Sequence, residues 1–86
     1  MDYTPEMKNR IRRIEGQVRG ILRLMEEERP CKEVVSQMSA VRNAIDRAIG
    51  VVVGTNLEMC IREEIEHGES TTKTIKEAVD LLVRSR

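Results

Sequence analysis

Residues 30–67 read PCKEVVSQMSAVRNAIDRAIGVVVGTNLEMCIREEIEH, and this stretch decides the fold. Apolar residues recur at Val34, Met38, Val41, Ile45, Ala48, Val52 and Met59, with a second row at Val35, Ile49, Val53 and Leu57. Steps of three and four are the period of a helix, and two adjacent rows make the apolar stripe wide. The spacing predicts one long helix over 31–66, opened by Pro30 and closed at Glu66-His67-Gly68, where Gly68 suits a C-cap. Gly50 and Gly54 weaken it past its midpoint and mark either a bend or close packing. The only two cysteines, Cys31 and Cys60, stand toward its two ends.

Those thiols are 29 positions apart. On one helix they are separated by roughly 43 Å, at 1.5 Å of rise per residue. A disulfide requires Cα atoms within about 7 Å, so the two cannot join within one chain. An antiparallel copy of the helix removes the difficulty, because Cys31 of one chain then lies beside Cys60 of the other. The crossing point falls near Ile45 and Asp46. Paired thiols therefore imply a dimer.

Outward from this helix, Thr4-Pro5-Glu6 is a helix start, with Thr as N-cap, Pro at the first position and an acid facing the dipole. A first helix over 5–28 carries Met7, Ile11, Ile14, Val18, Ile21 and Met25 as a heptad seam, widened by Leu22. Gly16 and Gly20, four apart, permit close approach by a helix or ligand. Arg29-Pro30 is the break. After the loop at Glu69-Ser70-Thr71-Thr72, a third helix over 72–84 presents Ile75, Ala78, Val79, Leu82 and Val83 on one face. No strand alternation or internal repeat is present.

Eighty-six residues make one domain, 1–86, and a core this small is usually reinforced by oligomerisation. The apolar fraction of 40% comes from aliphatic residues, with Tyr3 as the single aromatic, which favours an all-α bundle. The 15 basic and 15 acidic side chains balance, but six basic residues (Lys8, Arg10, Arg12, Arg13, Arg19, Arg23) face one acid, Glu15, along the first helix. Such a block is either a solvated face or a footprint for phosphates. No apolar leader precedes the first helix, and no run reaches the length of a membrane span. The expected location is cytoplasmic, where two cysteines point to reactive or metal-binding thiols rather than a structural disulfide.

Cys31, in the first turn of its helix and beside Lys32, sits where the dipole favours the thiolate. Cys60, flanked by Glu58, Glu63 and Glu64, reads alone as a small buried hydrophobe. Asn56 lies four residues before Cys60 on the same helix face. A His there would complete a trigonal soft-metal site with Cys31 of the partner, but a carboxamide is a poor soft-metal ligand. His67, the only histidine, reads as an exposed imidazole at the helix end. Arg10, Arg13 and Gln17 share one side of the first helix, and Arg42 and Arg47 lie on the polar side of the second. No groove-reading module such as a helix-turn-helix or zinc finger is legible.

Four blocks together, the run Arg10-Ile-Arg-Arg-Ile-Glu-Gly-Gln-Val-Arg-Gly-Ile, then Cys31, then Gln37-Met-Ser-Ala-Val-Arg, then Asn56-Leu-Glu-Met-Cys60, resemble the copper-sensitive operon repressor (CsoR/RcnR) family. The resemblance covers nearly the whole chain. It implies three helices per chain, an antiparallel four-helix-bundle dimer with the third helix outside, and dimers pairing into a homotetramer. It also implies a repressor that holds double-stranded operator DNA and releases it on sensing. The family's DNA-contacting positions match Arg10 and Arg47, and the shared helix face extends the set to Arg13 and Gln17.

Copper sensors of the family carry Cys, His and Cys where this chain has Cys31, Asn56 and Cys60. That order resembles the persulfide-sensing branch (CstR), whose cysteines react with sulfane sulfur to form links between protomers. The expectation is thus a non-enzymatic repressor with no cofactor and no resident metal. Small sulfane-sulfur inducers would join Cys31 to Cys60 of the partner as a di- or polysulfide. The rivals are a Cu(I) sensor using the two thiolates with a substitute third ligand, a structural helical dimer and a thiol-dependent sulfurtransferase. Against the last, no catalytic base or substrate loop accompanies either cysteine.

Overall fold

The computed structural model describes residues 1–85. It contains three α-helices and, among the described residues, no strand: α1 spans Pro5–Glu26, α2 Cys31–Glu66 and α3 Thr72–Arg84. The all-α expectation holds. Thr4 caps α1 as its sequence predicts, the Met7 amide donating to Thr4 Oγ1 at 3.2 Å, with Pro5 at the first position and Glu6 in the first turn. α2 passes Gly50 and Gly54 without a break.

α1 ends two residues earlier than its sequence suggests. The Glu28 amide donates to the Met25 carbonyl and the Arg29 amide to the Leu24 carbonyl, which is the Schellman pattern. It places Glu28 at φ 53, in the left-handed region. The end of α2 repeats the pattern, Gly68 donating to Ile65 and Glu69 to Glu64, with Gly68 at φ 67. One helix terminus therefore has the residue its backbone favours and the other does not. Gly68→Ala is expected to lose about 1 kcal/mol and Glu28→Gly to gain a similar amount. Urea unfolding at one fixed protein concentration measures both.

Two compact units make up the chain. The first, Asp2–Ala48, pairs α1 with the first half of α2. Its inner row on α1 is Met7, Arg10, Ile14, Gln17, Ile21 and Leu24, in alternating steps of three and four, with Met7 and Ile14 buried and the others half-buried. Val34, Gln37, Val41, Ala44 and Ala48 form the corresponding row on α2, Ala48 fully buried. This corrects the single heptad seam expected for α1. Ile11, Val18, Leu22 and Met25 form a separate stripe that stays exposed, Ile11 and Leu22 by more than half (52% and 54%). Polar Arg10 and Gln17 take inner places that apolar periodicity overlooks. Gly16 faces open space, and a Cβ on Gly20 would meet only Gln37 Nε2, at 3.9 Å, so the chain's own helices make no close approach at either glycine.

The second unit, from Ile49 onward, joins the rest of α2 to α3. Among the described residues of this unit, only Ala78 is buried. Thr74 donates from its hydroxyl to Glu64, fastening α3 to α2 at one polar point. Of the apolar face expected on α3, Ala78 alone is inside, and Ile75, Val79, Leu82 and Val83 remain exposed.

The chain exposes 6955 Å², against about 5,200 Å² expected for a folded monomer of this mass. Aliphatic rows that one chain leaves uncovered contribute to it.

Candidate functional site

The first unit contains a cleft of about 160 Å³ lined by Arg10, Arg13, Ile14, Gln17, Ala44 and Arg47. The helical period of α1 sets Arg10, Arg13 and Gln17 on the edge that faces α2, and α2 contributes Ala44 and Arg47. All four residues that the sequence nominates for DNA contact therefore line one recess. Ile14 and Ala44 are its apolar lining.

The polar atoms in this cleft are unusually idle. Arg10 Nε and Gln17 Oε1 are shielded from solvent and have no hydrogen-bond partner. Arg10 Nη2 lies 3.8 Å from Glu6 Oε1, a loose pair one turn apart. Among the described residues, neither Arg13 nor Arg47 has a carboxylate within 4 Å. Elsewhere on α1, Arg19 pairs with Glu15 at 3.3 Å and Arg12 donates to Asn9 at 2.9 Å. Arg13 and Arg47 therefore bring unneutralised charge to the cleft. Glu6, expected as the acid facing the helix dipole, also pairs with Arg10, for which its place four residues earlier was the available signal.

Cys31 is the first residue of α2 and is exposed. Pro30 precedes the helix rather than opening it, its carbonyl accepting from the Glu33 and Val34 amides at 2.9 and 3.3 Å. Cys31 therefore stands among the unpaired amides of a helix N-terminus, where negative charge is favoured. Across the same turn, Arg29 donates to both oxygens of Glu33, Nε at 2.8 Å and Nη2 at 2.9 Å. These hydrogen bonds hold the Glu33 carboxyl below the ordinary glutamate range, against the opposing effect of its partial burial, and raise the Arg29 guanidinium correspondingly. The charge of Glu33 is thereby offset within the turn that carries Cys31.

A depressed carboxyl stabilises the fold above its unfolded pKa, and that contribution fades as pH falls through the folded value. Both side chains are about half exposed, so the effect is small. Glu33→Gln is expected to melt slightly below wild type at pH 7, with the gap closing below the ordinary glutamate range. Thermal scans at pH 7 and in acid check this.

Cys60 is half-buried in the second unit. Its thiol donates to Asn56 Oδ1 at 3.9 Å, so the two side chains share one helix face as their i, i+4 spacing predicts. His67 is exposed and donates from Nδ1 to the Glu63 carbonyl at 2.7 Å, which closes the end of α2. Its ring is occupied as a cap, apart from the thiols. The donors near Cys60 are one sulfur and one carboxamide, a hard and weak third ligand for a soft ion, so they fit a trigonal Cu(I) centre poorly. Among the described residues, no three His, Cys, Asp or Glu side chains of one chain are grouped to hold a metal ion.

The six residues lining the cleft and the Cys, Asn, Cys order lie within residues 3–84, which match the family model described as metal-sensitive transcriptional repressor. The chain belongs to this family. Among its relatives, the Mycobacterium tuberculosis copper-sensing transcriptional repressor RicR is 38% identical over 69 residues, covering 77% of this chain and 72% of that protein. The Bacillus subtilis copper-sensing transcriptional repressor CsoR is 33% identical over 76 residues, 88% of this chain and 74% of that one. The Bacillus subtilis protein YrkD is 60% identical over 63 residues, 73% of this chain and the whole of that one. The solved nickel-responsive transcriptional regulator InrS superposes with a TM-score of 0.81 at 32% identity, over 96% of this chain and 92% of that one. RicR, CsoR and InrS are transcriptional repressors or regulators, not enzymes. No described helix is long and apolar enough to cross a membrane.

Proposed function

We propose that this member of the repressor family binds operator DNA through the Arg10, Arg13, Gln17 and Arg47 cleft and senses sulfane sulfur through Cys31 and Cys60. The observation that carries the sensing reading is Asn56. Where a copper site needs an imidazole, this chain offers a carboxamide that accepts from the Cys60 thiol.

The Cys31 thiolate attacks the outer sulfur of an organic persulfide and becomes Cys31–S–SH, releasing the thiolate RS⁻. The Cys60 thiolate of the partner attacks the inner sulfur, forming the disulfide and expelling HS⁻. If Cys60 is itself persulfidated, its outer sulfur attacks instead and the product is a trisulfide. The sulfane sulfur is the oxidant and leaves reduced as sulfide.

A dimer supplies the partner. Its support is the exposed stripe Ile11, Val18, Leu22 and Met25 on α1, the exposed Met38, Ile45 and Met59 on α2, and the excess surface of the single chain. Burial of such rows against a second copy is worth about 25 cal/mol for each Å² of apolar surface. The uncovered face of α3 is available for a further pairing of dimers.

Intact-mass measurement after treatment with an organic persulfide tests the reading. A covalent dimer with the mass of two chains less two hydrogens per disulfide link, or with one or two further sulfurs per tri- or tetrasulfide link, together with loss of operator binding, supports it, and the absence of any link overturns it. The names of the copper-sensing relatives favour a second reading, Cu(I) held by the two thiolates. Anaerobic titration against a competing chelator separates the two, since tight stoichiometric Cu(I) that releases DNA supports the copper sensor. Asn56→His is expected to raise Cu(I) affinity more than about tenfold by restoring the third ligand.

A further inference from the structure

Asn56, Cys60 and Glu64 stand one turn apart in a single row on α2, within the second unit. Toward one end of the row the Cys60 thiol donates to Asn56, and at the other end Glu64 accepts from the Thr74 hydroxyl of α3. Cys60 is thus one turn from the point that fastens α3. Five residues join α2 to α3, a length that sets neighbouring helices antiparallel. The contact between Glu64 and Thr74 fixes their register. One turn farther from the loop are Cys60 on α2 and Ala78 on α3, which therefore lie at one level. Cys60 is half-buried there and Ala78 is buried.

The fastening is light. Ile75, Val79, Leu82 and Val83 take no part in it, because they are exposed. Among the described residues, the tie from Thr74 to Glu64 is the one side-chain hydrogen bond between these two helices. Glu64 Oε2 is shielded from solvent and accepts no hydrogen bond, a deficit that undocking would relieve with water. α3 has 13 residues, a length at which a helix without tertiary support is marginal. Such a unit opens at small cost.

We propose that α3 reports the sulfur load of Cys60. It stays docked while Cys60 is a free thiol, and the Thr74 tie opens when sulfur is added there. Inserting an extra heavy atom at a packed level forces the neighbouring groups apart, and Ala78 has only a methyl with which to adjust. A link to Cys31 of the partner acts in the same sense, by drawing Cys60 out of its row. Release of α3 displaces its exposed Ile75, Val79, Leu82 and Val83 face, the surface available for pairing of dimers. The coupling rests on the sulfur-sensing reading above only for the identity of the modifying agent.

Amide hydrogen exchange on the full chain tests this, with α1 as the internal reference. A Cys31→Ala variant is treated with methyl methanethiosulfonate until intact mass shows full modification. The Cys60 thiolate attacks the sulfenyl sulfur, a disulfide to S-methyl forms, and methanesulfinate leaves with the electron pair. The α3 amides are then expected to exchange at least about tenfold faster, with α1 unchanged. Thr74→Val should free α3 without reagent, and the reagent should then add less than about twofold, because both act on one tie. Thr74→Ser keeps the hydroxyl and should match the parent. Unchanged α3 exchange at modified Cys60 overturns the proposal, as do effects of reagent and Thr74→Val that multiply in full. Equal acceleration in α1 also overturns it, since that is global unfolding. An organic persulfide on the unaltered chain separates the two readings. If it modifies neither cysteine while the thiosulfonate frees α3, the sulfur reading fails and the coupling stands. A persulfide-derived link formed with α3 still protected overturns the coupling.

Discussion

A Cys31→Ala variant treated with an organic persulfide is expected to remain entirely monomeric on denaturing non-reducing gels and to keep its grip on operator DNA. The wild-type chain is expected to run as a covalent dimer and to lose at least about tenfold in affinity, within the range of ordinary allosteric coupling. The two thiols stand in unlike surroundings. Cys31 is exposed at a helix N-terminus, and the neighbouring carboxylate of Glu33 is clasped by Arg29. Cys60 is half-buried, lies among Glu58, Glu63 and Glu64 in sequence, and donates its proton to Asn56. The first position is open to an incoming persulfide and the second is less so, which sets Cys31 to attack and Cys60 to resolve. Cys60→Ala is therefore expected to accumulate an uncrosslinked persulfide at Cys31, a mass gain of one sulfur. If Cys31→Ala still releases DNA on treatment, or if Cys60 takes up sulfur first, the assignment of roles fails.

The second large effect is expected from the basic cleft. Arg10→Ala and Arg47→Ala should each weaken DNA binding and reduce the slope of log affinity against log salt by about 1. Charge reversal at both positions should abolish binding at moderate salt while leaving the helical content unchanged. Arg47 is exposed and pairs with no carboxylate among the described residues, so its removal leaves nothing buried and unsatisfied. Arg10 is half-buried in the inner row of α1, and its truncation also opens space beside Ile14. A melting curve accompanies the binding data for this reason. Equal loss of affinity with an unchanged salt slope would place the phosphate contacts elsewhere on the chain.

Legibility differed by element. The long helix was plain because apolar steps of three and four persist through two glycines that cost propensity locally but do not interrupt the hydrogen-bond ladder. Thr4 and Gly68 were plain as well, since a side-chain cap and a left-handed residue are local requirements. The end of α1 was less so. Glu28 occupies a position that glycine ordinarily marks, so its type gave no signal of the turn that ends the helix at Glu26. The division of the α1 apolar residues into an inner row and an exposed stripe was also hidden. Periodicity shows how wide an apolar surface is, but it cannot say which edge a chain covers by itself.

The candidate site shows the same division. Residue type and spacing alone put Cys31 and Cys60 at distant positions on one helix, set Asn56 one turn from Cys60, and gathered positive charge on α1. Those are consequences of a fixed helical rise and period, and they hold wherever the helix packs. Only tertiary structure brought Arg47 from the second helix to Arg10, Arg13 and Gln17 beside Ile14 and Ala44. Only tertiary structure left Arg10 Nε and Gln17 Oε1 shielded and unpaired. Both depend on how α1 is rotated against α2, and that rotation is set by the packing of Met7, Ile14 and Ala48 rather than by any local sequence rule.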